Sequence, residues 1–236
     1  MSNEQPAPDS IPAPVSDDLN GDRRQVAVMH TAEMDWQASP SAGVWRKRLE
    51  RIGPQEAGVV TSVVRYDAGS RFSEHWHPDG EEFFVLEGIF EDEHGRYPAG
   101  SYVLNPDGTH HAPGTTEGCT LFVKLRQYAG SGRRRLVCDS TALDWQPGGG
   151  PGHQVKPLYR QAGFPEEVRL ATLEPGTRVE PHDHPGGEEV FVLEGALSDE
   201  AGHYPAGSWM RFPVGSRHAP WSEDGCLLFV RTGGLP

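Results

Sequence analysis

The chain has 236 residues, enough for one large or two ordinary domains with a proper core. Its formal net charge of -13 argues against nucleic acid or an anionic membrane surface as the main partner. No apolar run approaches the roughly 20 residues that a membrane-spanning helix needs, and 29 glycines with 21 prolines favour short strands joined by tight turns.

The N-terminal segment has no basic region followed by an apolar region, so we predict no signal peptide. Residues 1–24 combine prolines and polar residues with few apolar side chains, which predicts a disordered tail. Cys119, Cys138 and Cys226 are too few for a disulfide framework. We therefore expect a cytoplasmic protein whose thiols stay reduced.

The segments after the tail alternate apolar with polar side chains or are rich in β-branched residues. Turn residues recur about every 8 to 12 positions between them, and helix-length periodic runs are absent. The predicted strands of the first half are 26–29, 44–51, 58–66, 83–87, 101–104 and 118–125. This pattern predicts an all-β fold of the sandwich or barrel type.

A basic, glycine-containing segment follows at 129–135 and ends in Arg133, Arg134 and Arg135. Such a run is typical of a solvated linker, and an anion-binding patch is the alternative. We predict a linker here, with its arginines exposed to solvent.

The second half of the chain repeats the first at a constant offset of 107, without insertion or deletion from Gly69 onward. The matched pairs are Gly69 and Gly176, His75 and His182, His77 and His184, Glu81 and Glu188, Gly88 and Gly195, Gly100 and Gly207, Pro106 and Pro213, Gly108 and Gly215, His111 and His218, and Cys119 and Cys226. The repeat predicts two tandem domains, 25–130 and 131–236.

The repeat also sorts the histidines, because six of the eleven occupy matched positions. His75 and His77 are two residues apart, so both imidazoles project from one face of an extended strand. The turn that follows, Pro78 to Gly80, brings the carboxylate of Glu81 back beside them. Two imidazoles and a carboxylate at one spot indicate a metal site.

Both halves contain two complete motifs in the same order. Gly-x5-His-x-His-x3-Glu-x6-Gly is met by Gly69, His75, His77, Glu81 and Gly88, and by Gly176, His182, His184, Glu188 and Gly195. Gly-x5-Pro-x-Gly-x2-His is met by Gly100, Pro106, Gly108 and His111, and by Gly207, Pro213, Gly215 and His218. Each half therefore resembles a cupin, and the resemblance spans roughly residues 26 to 236.

The sequence around the motifs narrows the resemblance. Both halves share Gly-Glu-Glu, Val-Leu-Glu-Gly, Tyr-Pro-Ala-Gly-Ser and His-Ala-Pro, which resembles the cupin domain of ChrR-type zinc-binding anti-sigma factors. The N-terminal zinc domain of those proteins has no counterpart in the short, cysteine-free segment here. We therefore do not expect direct inhibition of a sigma factor.

The resemblance implies two jelly-roll barrels, each with a divalent transition metal inside. The implied metal ligands are His75, His77, Glu81, His111, His182, His184, Glu188 and His218. Spacing to Gly88 favours Glu81 over Glu82 as ligand, and period-2 alternation places Phe83 and Val85 on the same inward face as Glu81. Three neutral nitrogens and one carboxylate oxygen suit Zn, Fe(II), Mn, Ni or Co, and we expect one Zn, Fe or Mn ion per domain.

Two main functions follow from this expectation, and a third, storage or structural use, is disfavoured by the two complete ligand sets. One is a metal-dependent dioxygenase-like enzyme acting on a small carbonyl compound, and the alternative is a non-catalytic zinc- or iron-binding sensor. The expected partner is a small-molecule ligand or substrate, with no nucleic acid and no membrane, and cupins commonly pair, which makes a homodimer possible. We expect Trp76 to pack between sheets or domains, with substrate contact as the alternative. We expect Arg126 and Arg231 to be surface charges, with carboxylate binding as their alternative.

Overall fold

The computed structural model describes residues 18–54 and 56–235. It is built from β-strands with two short 3-10 helices, Thr31–Glu33 and Ser140–Ala142, so the predicted all-β fold is confirmed. Within the described residues, no helix has the length and apolar character to cross a membrane.

The first repeat forms one barrel-like unit from a large sheet and a small one. Its strands are β1 (Ala27–His30), β2 (Gln37–Ala38), β3 (Val44–Ile52), β4 (Val59–Tyr66), β5 (His75–His77), β6 (Glu81–Asp92), β7 (Gly95–Pro98), β8 (Ser101–Asn105), β9 (Thr109–His111) and β10 (Cys119–Leu125). The large sheet includes β8-β6-β10-β4-β3-β2 in that spatial order, and the small sheet is β5-β9.

The second repeat reproduces the first. Its strands are β11 (Leu136–Asp139), β12 (Gln146–Pro147), β13 (His153–Arg160), β14 (Glu167–Leu173), β15 (Thr177–Arg178), β16 (His182–His184), β17 (Glu188–Ser198), β18 (His203–Pro205), β19 (Ser208–Phe212), β20 (Ser216–His218), β21 (Trp221–Ser222) and β22 (Cys226–Thr232). The order β19-β17-β22-β14-β13-β12 repeats the first sheet, and β16-β20 repeats β5-β9. The predicted pair of jelly-roll barrels is confirmed.

The first strand of each repeat lies in the sheet of the other repeat. β1 pairs with β19, with Ala27 opposite Arg211, and β11 pairs with β8, with Leu136 opposite Leu104. The edge strand predicted at 26–29 is therefore present, but it completes the second barrel and not its own. This reciprocal exchange ties the two halves together through backbone hydrogen bonds.

Alternation along β6 separates two cores, as predicted. Phe83 and Val85 belong to the core inside the first barrel, whereas Phe84 and Leu86 belong to a core shared by both barrels. A third core fills the second barrel. Because the shared core draws on both large sheets, the two barrels pack face to face within one chain.

Gly88 permits the bend by which β6 crosses between sheets. Its φ is +72°, and a Cβ atom there would lie 2.0 Å from the carbonyl oxygen of Gly118. The pairing of β6 with β10 shifts register beside this position, which is the geometry of a β-bulge. The motif glycine is therefore required by a close backbone approach.

Charged side chains are buried between the barrels. Lys124 of the first repeat donates to both carboxylate oxygens of Glu189 of the second, at 2.6 Å each. Arg231 donates to the same carboxylate at 3.1 Å and is only 2% exposed, so its prediction as a surface charge was wrong. Arg211 pairs with Glu50 across the same interface.

Two segments are more ordered than the sequence suggested. In the predicted linker, Arg133 is buried and forms a two-nitrogen ion pair with Glu166 at 3.0 to 3.1 Å, so its prediction as a solvated residue was wrong. The disordered tail predicted for 1–24 also extends too far, because Leu19 bridges to Arg51. Residues 1–17 of that tail lie outside the described residues.

Two candidate metal centres

Local strand geometry assembles the first cluster. β5 and β9 pair so that His75 lies directly opposite His111, and His77 projects from the same face as His75. Glu81 opens β6 after the turn that ends β5. One donor atom from each of these four residues lies within 4.8 Å of the others.

The second cluster has the same construction. β16 and β20 place His182 opposite His218, while His184 and Glu188 complete the group with donor atoms again within 4.8 Å. The structure thus brings all eight sequence-predicted residues into two groups of four, one in each barrel.

The imidazoles of the first cluster are held by their Nδ1 atoms. Nδ1 of His75 lies 2.9 Å from the carbonyl oxygen of Ser73, and Nδ1 of His77 lies 3.3 Å from Oγ1 of Thr109. Nδ1 of His111 lies 3.1 Å from Oδ2 of Asp92. The Nε2 atoms of the two buried histidines, His77 and His111, have no hydrogen-bond partner among the described residues.

The buried imidazoles of the second cluster are also held by their Nδ1 atoms. Nδ1 of His184 lies 3.1 Å from Oγ of Ser216, and Nδ1 of His218 lies 3.3 Å from Oδ2 of Asp199. Nε2 of both histidines is buried without a partner in the described part of the chain. Buried polar atoms rarely stay unsatisfied, and such partners at Nδ1 are typical of metal-binding histidines. The donor set of each cluster therefore fits a divalent transition metal.

Burial keeps several of these imidazoles neutral, as metal ligation requires. It lowers the pKa of His77 and of His218, and it lowers the pKa of His184 to about 4. For His111 burial acts in the same direction, but the hydrogen bond to Asp92 and the negative charges of Glu81, Asp92 and Glu93 together outweigh it and raise the pKa.

Glu81 and Glu82 point to opposite sides of β6. Glu81 lies 3.6 Å from Nε2 of His77 in the cluster, whereas Glu82 is buried in the shared core and accepts hydrogen bonds from Tyr102 and Tyr128. The structure therefore brings Glu81, the residue favoured by spacing, into the cluster.

The carboxylates of Glu81 and Glu188, one in each cluster, have different polar neighbours. The side-chain amide of Asn105 donates to Glu81 at 3.0 Å, whereas the guanidinium of Arg169 lies 3.6 Å from Glu188. Burial would raise the pKa of Glu81, but its neighbouring imidazoles and Asn105 outweigh it and lower the pKa. Burial raises the pKa of Glu188 despite the opposing effect of Arg169.

A cavity of about 410 Å³ adjoins the first cluster and shares His75, His77 and Glu81 with it. Its apolar wall is formed by Val44, Val60, Val64, Tyr66, Phe72, Phe90, Leu121, Val123 and Leu125. A volume of this size with a few converging polar groups suits a small organic ligand. A molecule bound in this cavity would lie beside three residues of the cluster.

Other sequence predictions have mixed outcomes. Trp76 is 66% exposed and lies 4.7 Å from the ring of His110, so its prediction as packing between sheets was wrong. Among the described residues, the five unmatched or turn histidines stay outside both clusters. Asp92 and Asp199 were missed, although the offset of 107 that pairs the ligands also pairs them.

Comparison with known proteins supports the architecture. A chain from Nostoc punctiforme described as a "putative dioxygenase" has 18% identity, covers 88% of this chain and 82% of its own, and superimposes with a TM-score of 0.72. A bacterial pirin in complex with nickel(II) from Escherichia coli has 14% identity, coverage of 89% and 99%, and a TM-score of 0.65. Oxalate decarboxylase from Bacillus subtilis has 12% identity, coverage of 89% and 78%, and a TM-score of 0.63.

At these identities the likeness shows the fold alone. A search of curated proteins found no match to this chain. The family model of the ChrR cupin-like domain, however, matches residues 24–129 and again residues 133–236. The chain therefore belongs to the ChrR cupin-like family and carries two copies of its domain in tandem.

Proposed function

We propose that the protein is a metal-dependent oxidoreductase of the dioxygenase type, and that its first barrel acts on a small carbonyl compound. The observation that carries this proposal is the cavity of about 410 Å³ whose wall includes three residues of the first cluster. A purely structural metal site needs no adjoining volume for a ligand.

In this proposal His75, His77, Glu81 and His111 hold the metal. The chemistry that such a metal supplies when bound is Lewis-acid polarisation of an oxygen ligand and, for iron, redox chemistry with dioxygen. Asp92 fixes the orientation of His111, and Asn105 holds the carboxylate of Glu81. The apolar wall limits water around the bound substrate.

A second candidate function is non-catalytic metal sensing, and the second cluster favours it. Arg169 lies 3.6 Å from Glu188 and also donates to Thr232 at 3.2 Å. The matched position in the first repeat is Ser62, which lines the cavity there. At this position the guanidinium of Arg169 takes up volume, and it competes with a metal cation for the carboxylate of Glu188.

The test is anaerobic purification followed by metal analysis and oxygen uptake with a panel of small carbonyl compounds. His77→Ala should remove one metal and abolish uptake, whereas the matched His184→Ala should remove the other metal and leave uptake in place. Two tightly bound zinc ions with no uptake in the parent protein would refute the enzyme and support the sensor. The homodimer stays a prediction, which sedimentation of the purified chain can test.

A further inference from the structure

Three arginines line the cavity of the first barrel. Arg46 and Arg48 project from β3, and Arg126 follows the end of β10. The only carboxylates in the cavity wall, within the described residues, are Glu56 and the cluster residue Glu81. With Glu81 assigned to the metal, the wall that contains these three arginines contains one further carboxylate, that of Glu56.

That carboxylate shows what Arg46 and Arg48 can bind. Nη1 of Arg46 donates to both oxygens of Glu56, at 2.9 and 3.2 Å, and Nη2 of Arg48 lies 3.4 Å from Oε1. The side chains of Arg46 and Arg48 are only 17% and 11% exposed, whereas that of Glu56 is 48% exposed. Glu56 lies in the loop between β3 and β4, so an exchangeable carboxylate sits on two largely buried cations.

Arg126 adds an independent indication. Its φ is 59°, in the left-handed region that favours glycine. The matched residue of the second repeat is Gly233, which has φ 79° and adopts this conformation without strain. A non-glycine residue held in such a conformation beside a cavity is a signal of function.

The second barrel lacks all three arginines. Strand register matches Arg46 with Val155 and Arg48 with Pro157, and Gly233 replaces Arg126. The three arginines therefore belong to the barrel whose cavity adjoins its cluster, and none of them has an arginine at the matched position of the other barrel.

We propose that Arg46, Arg48 and Arg126 form a carboxylate-binding subsite, and that the substrate is a small carbonyl compound that also carries a carboxylate. The substrate carboxylate displaces Glu56 from the arginines, its apolar part lies along the cavity wall, and its carbonyl group faces the cluster. The assignment of a substrate rests on the proposed function, whereas the subsite itself does not.

The subsite is tested by calorimetric binding of hexanoate and its neutral counterpart hexanamide to the metal-loaded protein. Charge-assisted hydrogen bonds to arginine should favour hexanoate by at least about tenfold. Arg46→Gln and Arg48→Gln should each remove this preference, and Glu56→Gln should strengthen hexanoate binding because the competing carboxylate is gone. Arg160→Gln, which removes an exposed arginine paired with Glu167, is the control and should change nothing.

A carboxylate can also bind a metal directly, so the comparison is repeated in His77→Ala. The preference for hexanoate should persist there and should still depend on Arg48. Equal binding of the acid and the amide, or a preference that survives both arginine substitutions, overturns the subsite. Glu56→Gln should increase the affinity for hexanoate, whereas loss of folding can only decrease it. This variant therefore tests the subsite even if the arginine variants are destabilised.

Measurement of oxygen uptake then distinguishes failure of the proposed enzyme activity from failure of the proposed subsite. With unbranched oxo acids and their matched primary amides, the acids should have the lower KM, and Arg48→Gln should raise KM more than it lowers kcat. Arginine-dependent binding without any turnover would refute the enzyme and leave the subsite standing. Equal turnover of acids and amides would refute the subsite and leave the enzyme standing.

Discussion

Replacement of Lys124 by methionine tests how much the charges between the barrels stabilise the fold. The ammonium group donates to both oxygens of Glu189 at 2.6 Å and to Thr61 at 3.0 Å, and the side chain is 1% exposed. Lys124→Met leaves Glu189 buried with Arg231 as its remaining cation at 3.1 Å. Breaking a buried ion pair costs about 3 to 5 kcal/mol, and the remaining cation places our expectation near the lower end, at about 3 kcal/mol.

The assay is urea unfolding at fixed metal loading, since a bound metal adds its own stabilisation. The double variant Lys124→Met with Glu189→Gln removes the unpaired charge, so it should recover at least half of the loss. Lys124→Arg keeps the charge, as Arg231 does at the matched position, and serves as the control. A loss below about 0.5 kcal/mol in Lys124→Met, or a double variant that loses the sum of its singles, would refute the reasoning.

Further predictions concern pH and the two clusters. Burial would raise the pKa of Glu189, but its two cationic neighbours outweigh burial and lower the pKa from 4.5 to about 2. The charge of Glu189 therefore stabilises the fold above the unfolded pKa, and this stabilisation is lost as pH falls toward 2. Lys124→Met should shift the midpoint of acid unfolding to higher pH. An unchanged midpoint would contradict this prediction. Asp92→Asn should weaken metal binding at the first cluster by about 10- to 100-fold in competition titrations, and an equal loss at both clusters contradicts a local effect. Arg169→Ser should strengthen metal binding at the second cluster by at least about tenfold because a cation near Glu188 repels the metal, and unchanged affinity would show that Arg169 does not compete.

Most of the candidate site could be predicted because its residues follow local rules. The spacing of His75 and His77 sets one strand face, and the turn before Glu81 sets the third donor. Repetition at a constant offset then separated these residues from the unmatched histidines. The same comparison could have revealed Asp92, because its partner Asp199 has the same offset.

Other features could not be predicted because they depend on which distant segments meet. Residues Ala27–His30 read as an edge strand in any barrel, and alternation alone does not identify the partner sheet. Arg133 stands in a glycine-rich basic run, yet Glu166 and Tyr159 make its burial possible. Nothing in the local sequence distinguishes it from a solvated arginine.

The sequence by itself determined the all-β class, the repeat and the two histidines and glutamate of the first motif in each half, because each depends on spacing over a few positions. His111 and His218 were added to these residues by the resemblance to cupins. The tertiary structure decided which barrel receives β1, which charges are buried, and which arginines lie in the wall of the cavity beside the first cluster. Burial of a charge is stable only where a partner meets it, and Arg211 finds Glu50 at a separation of 161 residues. Such a pairing depends on which distant segments meet, so the local sequence does not reveal it.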